Sequence, residues 1–188
     1  MKDAQGREIK YLRVSVTDRC NLRCKYCMPN GIECVEHKDI LSFEEIRQIA
    51  ACGARLGITK IRLTGGEPLA RKGCPELIHM LKEIPGIEKI AMTTNGTLVR
   101  AILPELVEAG LDEINISLDT MQKDKYFRIT GRDEFDQVWR GIQNTMAAGM
   151  KVKLNCVPIG GVNDDEIADF FDLARKNPID VRFIEMMP

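Results

Sequence analysis

The sequence predicts an α/β fold on a parallel sheet, and three observations carry that expectation. Six short β-branched runs alternate with longer stretches of helical period. Most of the runs alternate strictly between apolar and polar residues. No linker, low-complexity tract or repeat beyond the βα unit interrupts the 188 residues, so one domain, 1–188, is expected.

The strands are expected at Tyr11 to Thr17, Ile58 to Thr64, Ile87 to Thr93, Asp112 to Leu118, Lys151 to Val157 and Asp180 to Ile184. Right-handed crossovers lay them in sequential order, curling toward a barrel that six units cannot close in the eight-stranded way. The first helix opens with Ser42 and Glu45 as a capping box, carries Ile46, Ile49, Ala50 and Leu56 on one face and ends at Gly57. Pro75 starts the second and Pro104 the third, because a missing N–H is harmless in a first turn. The fourth repeats Phe135, Val138, Trp139, Ile142 and Met146, and Asn163 caps a fifth that carries Ile167, Phe170, Phe171 and Ala174. The chain stops at Met186-Met187-Pro188, directly after the sixth strand and with no closing helix, so a truncated fold is expected.

Composition narrows the function. With 27 basic and 28 acidic side chains, for a net charge of −1, the chain is no general nucleic-acid binder. No apolar run approaches the ~18 residues of a membrane span, and the start Met1-Lys2-Asp3-Ala4 lacks a signal-peptide core, so a cytoplasmic location is expected. Seven cysteines, an odd count in a reducing compartment, point to a metal site or to buried thiols.

Strand parity points to a ligand. Leu12, Val14 and Val16 oppose Arg13, Ser15 and Thr17, while Ile61 and Leu63 oppose Lys60, Arg62 and Thr64. The pattern recurs with Asn115 and Ser117, with Lys153 and Asn155, and with Arg182. If the apolar parity packs on helices, the polar parity lines a wet, cationic cavity suited to a polyanion. The alternative is a sheet with one face in solvent, against which the interleaved helices argue.

The chemistry-bearing motifs follow the strands. After the first comes Cys20-Asn21-Leu22-Arg23-Cys24-Lys25-Tyr26-Cys27. Its three thiolates can hold three irons of a [4Fe-4S] cube and leave the fourth open. A zinc knuckle completed by Cys34 or His37 is the alternative. After the second strand stands Thr64-Gly65-Gly66-Glu67-Pro68, after the third Thr93-Thr94-Asn95-Gly96, and after the fourth Ser117-Leu118-Asp119. All lie at carboxyl ends of strands, where α/β folds bind ligands. Cys34, Cys52, Cys74 and Cys156 are scattered and read as bystander thiols, His37 and His79 as surface residues, and Asp164-Asp165-Glu166 as acids favoured by a helix dipole.

The cysteine loop and Gly65-Gly66-Glu67-Pro68 resemble the signature of the radical S-adenosylmethionine (radical SAM) superfamily. Leu12 to Cys20, Lys60 to Pro68, Thr93 to Gly96 and Arg182 to Pro188 are similar to its GTP-cyclising branch in molybdenum cofactor biosynthesis. The resemblance implies a partial (β/α)6 radical-SAM barrel, a curved parallel sheet with helices outside. It implies a [4Fe-4S] cluster on Cys20, Cys24 and Cys27, and S-adenosylmethionine contacts at Tyr26, Gly66, Ser117 and Met187. GTP contacts fall on Arg13, Lys60, Arg62, Thr93, Lys153 and Arg182. The implied activity is that of a lyase: reductive cleavage of S-adenosylmethionine gives a 5′-deoxyadenosyl radical that removes the ribose 3′ hydrogen of GTP before the sugar bonds to guanine C8. A flavodoxin-type electron donor is implied as well. Family members carry a C-terminal region with three cysteines for a second cluster, and the partners expected besides GTP and the electron donor are a homodimer mate or a missing C-terminal half. The competing functions are a radical enzyme acting on a peptide or another nucleotide, and a non-catalytic zinc module.

Overall fold

A computed structural model describes residues 2–29, 31 and 35–186. Its strands are β1 (Tyr11–Ser15), β2 (Lys60–Thr64), β3 (Lys89–Thr94), β4 (Glu113–Ser117), β5 (Lys151–Cys156) and β6 (Ile179–Phe183). They belong to a six-stranded sheet in the sequential order β1-β2-β3-β4-β5-β6. The helices are α1 (Phe43–Arg55), α2 (Cys74–Lys82), α3 (Val99–Glu108), α4 (Lys123–Thr130), α5 (Phe135–Ala147) and α6 (Ile167–Lys176). The expected α/β class and strand order hold. No helix among the described residues is long and apolar enough to cross a membrane.

The chain forms two compact units. The first comprises Met1–Cys20, Glu33–Thr93 and Pro104–Glu113. Here β1 pairs β2 and β2 pairs β3, all parallel, with Arg13 opposite Arg62 and Lys60 opposite Lys89. Ile61, Leu63 and Ile90 point into the core with Ile46 and Ala50 of α1 and Leu77, Ile78 and Leu81 of α2. α1 starts as its sequence dictates, with Ser42 Oγ accepting from Glu45 N and the Glu45 carboxylate accepting from Ser42 N. Ile49 and Leu56, expected on its core face, are exposed instead, while Ile46 and Ala50 are its buried residues.

The second unit comprises Asn21–Ile32, Thr94–Leu103 and Ile114–Pro188. β5 and β6 are parallel, with Asn155 opposite Arg182, and Leu118 N donates to Asn155 O at 2.9 Å. Ile114, Ile116, Val152 and Leu154 are buried with Val138 and Ile142 of α5, Tyr126 of α4 and Phe170 of α6.

Four details correct the sequence expectation. Pro104 lies inside α3, which already begins at Val99 because the turn at Gly96 starts the helix directly. The polar helix α4 was not expected at all. Asn163 does not cap a helix with its side chain; it is buried, and its amide donates to Asp119 O and Val157 O. Of the acidic run, Glu166 is buried, accepting from Thr120 Oγ1 and Met121 N and pairing with Lys125, so it serves packing and not only a helix dipole.

Candidate active site

The cysteine loop is divided between the units, Cys20 ending a segment of the first and Asn21 to Cys27 belonging to the second. Cys20 and Cys24 are half-buried, Cys27 is exposed, and none is in a disulfide. Backbone bonds fix the second unit's part. α4 ends with carbonyls that lack intrahelical donors, and Ile129 O and Thr130 O accept from Lys25 N at 3.0 Å and Arg23 N at 2.9 Å. The chain then turns, with Cys27 N and Met28 N both donating to Cys24 O.

Two side-chain anchors add to this. Asn21 Nδ2 donates to Thr97 Oγ1 at 2.8 Å while its Oδ1 accepts from Asn95 Nδ2 at 2.7 Å, tying the loop to the turn that follows β3. Tyr26 Oη donates to Asp119 Oδ2 at 2.8 Å, and Asp119 Oδ1 accepts from Val157 N at 2.9 Å. Burial, and then the Asp119 carboxylate, hold the Tyr26 phenol above its ordinary pKa, so it stays a donor. Burial also raises Asp119, against the pull of Val157 N and the phenol.

The other thiols differ. Burial pushes Cys74 and Cys156 up to about 12, so neither offers a ready thiolate. Among the described residues no three His, Cys, Asp or Glu side chains converge as ligands of a single metal ion. Cys34 lies outside the described residues and His37 has no described side chain, so the fourth ligand of a zinc knuckle has no described position.

In the first unit the glycine pair brings backbone against backbone. Gly66 N donates to Thr17 O and Glu67 N to Arg19 O, both at 2.7 Å. Any Cβ on Gly66 would meet the carbonyl oxygens of Asp18 and Arg19. The Glu67 carboxylate, fully buried, turns back to accept from Leu69 N. Arg13 donates to Thr64 Oγ1 at 3.4 Å, and Arg62 donates to Thr93 Oγ1 at 3.3 Å and to Glu113 Oε1 at 3.2 Å. Lys60 donates to Glu113 Oε2 at 3.3 Å. Four of the expected substrate contacts therefore share one strand face with a buried carboxylate that sequence reasoning left without a role. Glu113 has the parity of Asn115 and Ser117, which was the signal for it.

In the second unit Ser117 ends β4 half-buried, Lys153 is buried on β5, and Arg182 is exposed on β6 opposite Asn155. Met187 lies outside the described residues. A cavity of about 530 Å³ is lined largely by apolar groups, including Tyr26, Ile129, Ile159, Val162 and Met186. Asp119, Asn21 and Thr97 were not expected as site residues, although the strand-end positions of Asp119 and Asn95 marked their neighbourhoods.

Comparison with known proteins places these features. A family model described as the Radical SAM superfamily matches residues 14–174. The chain is 53% identical over 190 aligned residues to a protein of Moorella thermoacetica named GTP 3′,8-cyclase, covering 100% of this chain and 59% of that protein. A protein of the same name from Alkaliphilus metalliredigens is 54% identical with the same coverage. The chain thus spans about three-fifths of the length of these curated relatives. Among solved structures, Streptococcus suis SuiB bound to S-adenosylmethionine superposes with a TM-score of 0.81 at 20% identity, over 95% of this chain and 41% of that one.

Proposed function

We propose that this chain, which belongs to the Radical SAM superfamily, is the catalytic core of a GTP 3′,8-cyclase acting in molybdenum cofactor biosynthesis. The observation that carries this reading is identity above one half along the whole chain to proteins of that name. The chemistry of the site supports it. Cys20, Cys24 and Cys27 lie outside any disulfide on an anchored loop, and three thiolates in that spacing fit a [4Fe-4S] cluster with one open iron. Cys74 and Cys156, buried as neutral thiols, do not fit as ligands of a second cluster.

Cys20, Cys24 and Cys27 would hold the cluster, which together with bound S-adenosylmethionine would supply one-electron radical chemistry directed at the ribose of GTP. The chain's own residues position and enclose. Gly66, Tyr26, Ser117 and Met187 are the contacts of S-adenosylmethionine, and Gly66 serves by letting its main chain lie against the Asp18 and Arg19 carbonyls just before Cys20. Ile159 and Val162, in the apolar cavity beside Tyr26, suit the adenine ring. Arg13, Lys60, Arg62, Lys153 and Arg182 supply guanidinium and ammonium donors for the triphosphate, and Thr93 a hydroxyl. Holding the target C–H next to the radical and excluding water is the protein's main contribution. A flavodoxin-type reductant, a cytoplasmic location and one core domain over 1–188 belong to the same proposal.

Anaerobic reconstitution with iron and sulfide, followed by S-adenosylmethionine and dithionite, tests it. 5′-Deoxyadenosine measured by mass spectrometry is expected to rise when GTP is added. Product indifferent to GTP would leave a radical generator and remove GTP as the substrate of this chain. Zinc in place of iron after reconstitution would remove the radical chemistry altogether.

A further inference from the structure

Glu113 opens β4 with its side chain only 2% exposed, and three cations of the first unit converge on it. Its Oε2 accepts from Lys60 Nζ at 3.3 Å and is ion-paired with Lys89 Nζ, also at 3.3 Å, and its Oε1 accepts from Arg62 Nη2 at 3.2 Å. A buried carboxylate requires a cationic partner, but one suffices. The further positive charge needs another explanation. All three contacts are longer than the ~2.8 Å of a saturated charge-assisted bond, as expected when one carboxylate is shared.

Exposure is graded across the group. Side-chain accessibility rises from 2% for Glu113 to 10% for Arg62, 27% for Lys60 and 42% for Lys89, so the carboxylate lies beneath and the ammonium groups toward the open side. Each ammonium has three N–H donors; Lys60 gives one to Glu113, and Lys89 is ion-paired to the same oxygen. Arg62 spends one on Thr93 and one on Glu113, out of five. Burial pulls Lys60 below the ordinary lysine pKa even with Glu113 beside it, and an added anion would relieve that cost.

We propose that Glu113 is a tethered counter-anion holding Lys60, Arg62 and Lys89 in place for a polyphosphate, and that Lys89 is a further phosphate ligand. That this polyphosphate is the triphosphate of GTP rests on the function proposed above. Glu113 acts as a positioning residue: it keeps like charges together without a ligand and lowers the net charge offered to one. A single phosphate is then held weakly, whereas a triphosphate can engage all three cations.

Titration of inorganic tripolyphosphate into the 188-residue chain tests the proposal by calorimetry. Lys89→Met is expected to weaken binding about tenfold, the size of one charge-assisted contact. Glu113→Gln, which keeps shape and one acceptor, is expected to tighten binding several-fold because the competing charge is gone. Structural damage would not tighten it. Unchanged affinity in Lys89→Met, or weaker binding in a folded Glu113→Gln, overturns the proposal. Should Glu113→Gln not fold, Lys89→Met carries the test, since Lys89 is half-exposed. A wild-type chain that binds tripolyphosphate through Lys89 yet gives no GTP-stimulated 5′-deoxyadenosine upholds this site and overturns the GTP reading. GTP-stimulated product with unchanged tripolyphosphate affinity in Lys89→Met does the reverse.

Discussion

Burial sorts the cysteines by reactivity. Cys52 is exposed on α1, whereas Cys74 and Cys156 are buried with pKa values near 12. In the native chain iodoacetamide is expected to alkylate Cys52 and to spare Cys74 and Cys156 until urea unfolds the protein, as mass spectrometry of peptides would report. The raised values also set a pH dependence. A thiol whose folded pKa lies above its unfolded one favours the fold while protonated, so this contribution is complete below the ordinary 9.0 and lost as pH rises toward about 12. The urea midpoint is expected to fall between neutrality and about pH 10, and to fall less in Cys74→Ala. Gly96 gives a steric counterpart. It has φ of +83°, and a Cβ there would come within 2.7 Å of Ile116 Cγ2 and 3.0 Å of Val138 Cγ1. Gly96→Ala is expected to cost about 1–3 kcal/mol in chemical denaturation.

The element of most consequence is the cysteine loop, whose anchors come from α4 and from the turns after β3 and β4 within the second unit. Removing the Tyr26–Asp119 bond in Tyr26→Phe keeps the ring and the cysteines but frees one end of the loop. Amide exchange at Arg23 and Lys25, read by mass spectrometry in the cluster-free chain, is expected to accelerate in Tyr26→Phe and in Asn21→Ala and to stay slow in Cys52→Ala. None of these anchors was legible in the sequence, because hydrogen bonds between distant loops leave no periodic trace. The helix that receives the loop was missed for a related reason. Lys123–Thr130 is largely polar and buries only Lys125, Tyr126, Ile129 and Thr130, too few apolar positions to form a stripe. Lys125 is held there by Asp165 and by buried Glu166. Glu166→Ala strips the acceptor from Thr120, Met121 and Lys125, and is expected to cost about 3 kcal/mol.

At the scale of the whole chain the sequence located all six strands to within two residues at each end, since β-branched alternation and strand-end motifs mark them independently. It also marked Lys60, Arg62, Thr93 and Arg13 through parity and resemblance. Parity assigns a face but not which charges on that face satisfy one another, and so it leaves the Glu113 pairing open. Reconstituted with iron and sulfide, the chain is expected to carry about four irons, one cube. Alanine at Cys20, Cys24 or Cys27 is expected to abolish that content, and alanine at Cys52 or Cys74 to leave it, by iron assay and visible absorbance. The approach of Gly66 and Glu67 to Thr17 and Arg19 has a consequence for mutational tolerance. Both contacts run from main chain to main chain, so Arg19 is held there by its carbonyl and not by its side chain. In a saturation library selected for cluster retention, Arg19 is expected to accept most residues while Gly66 accepts none, leaving the identity of one wall free to drift and that of the other fixed.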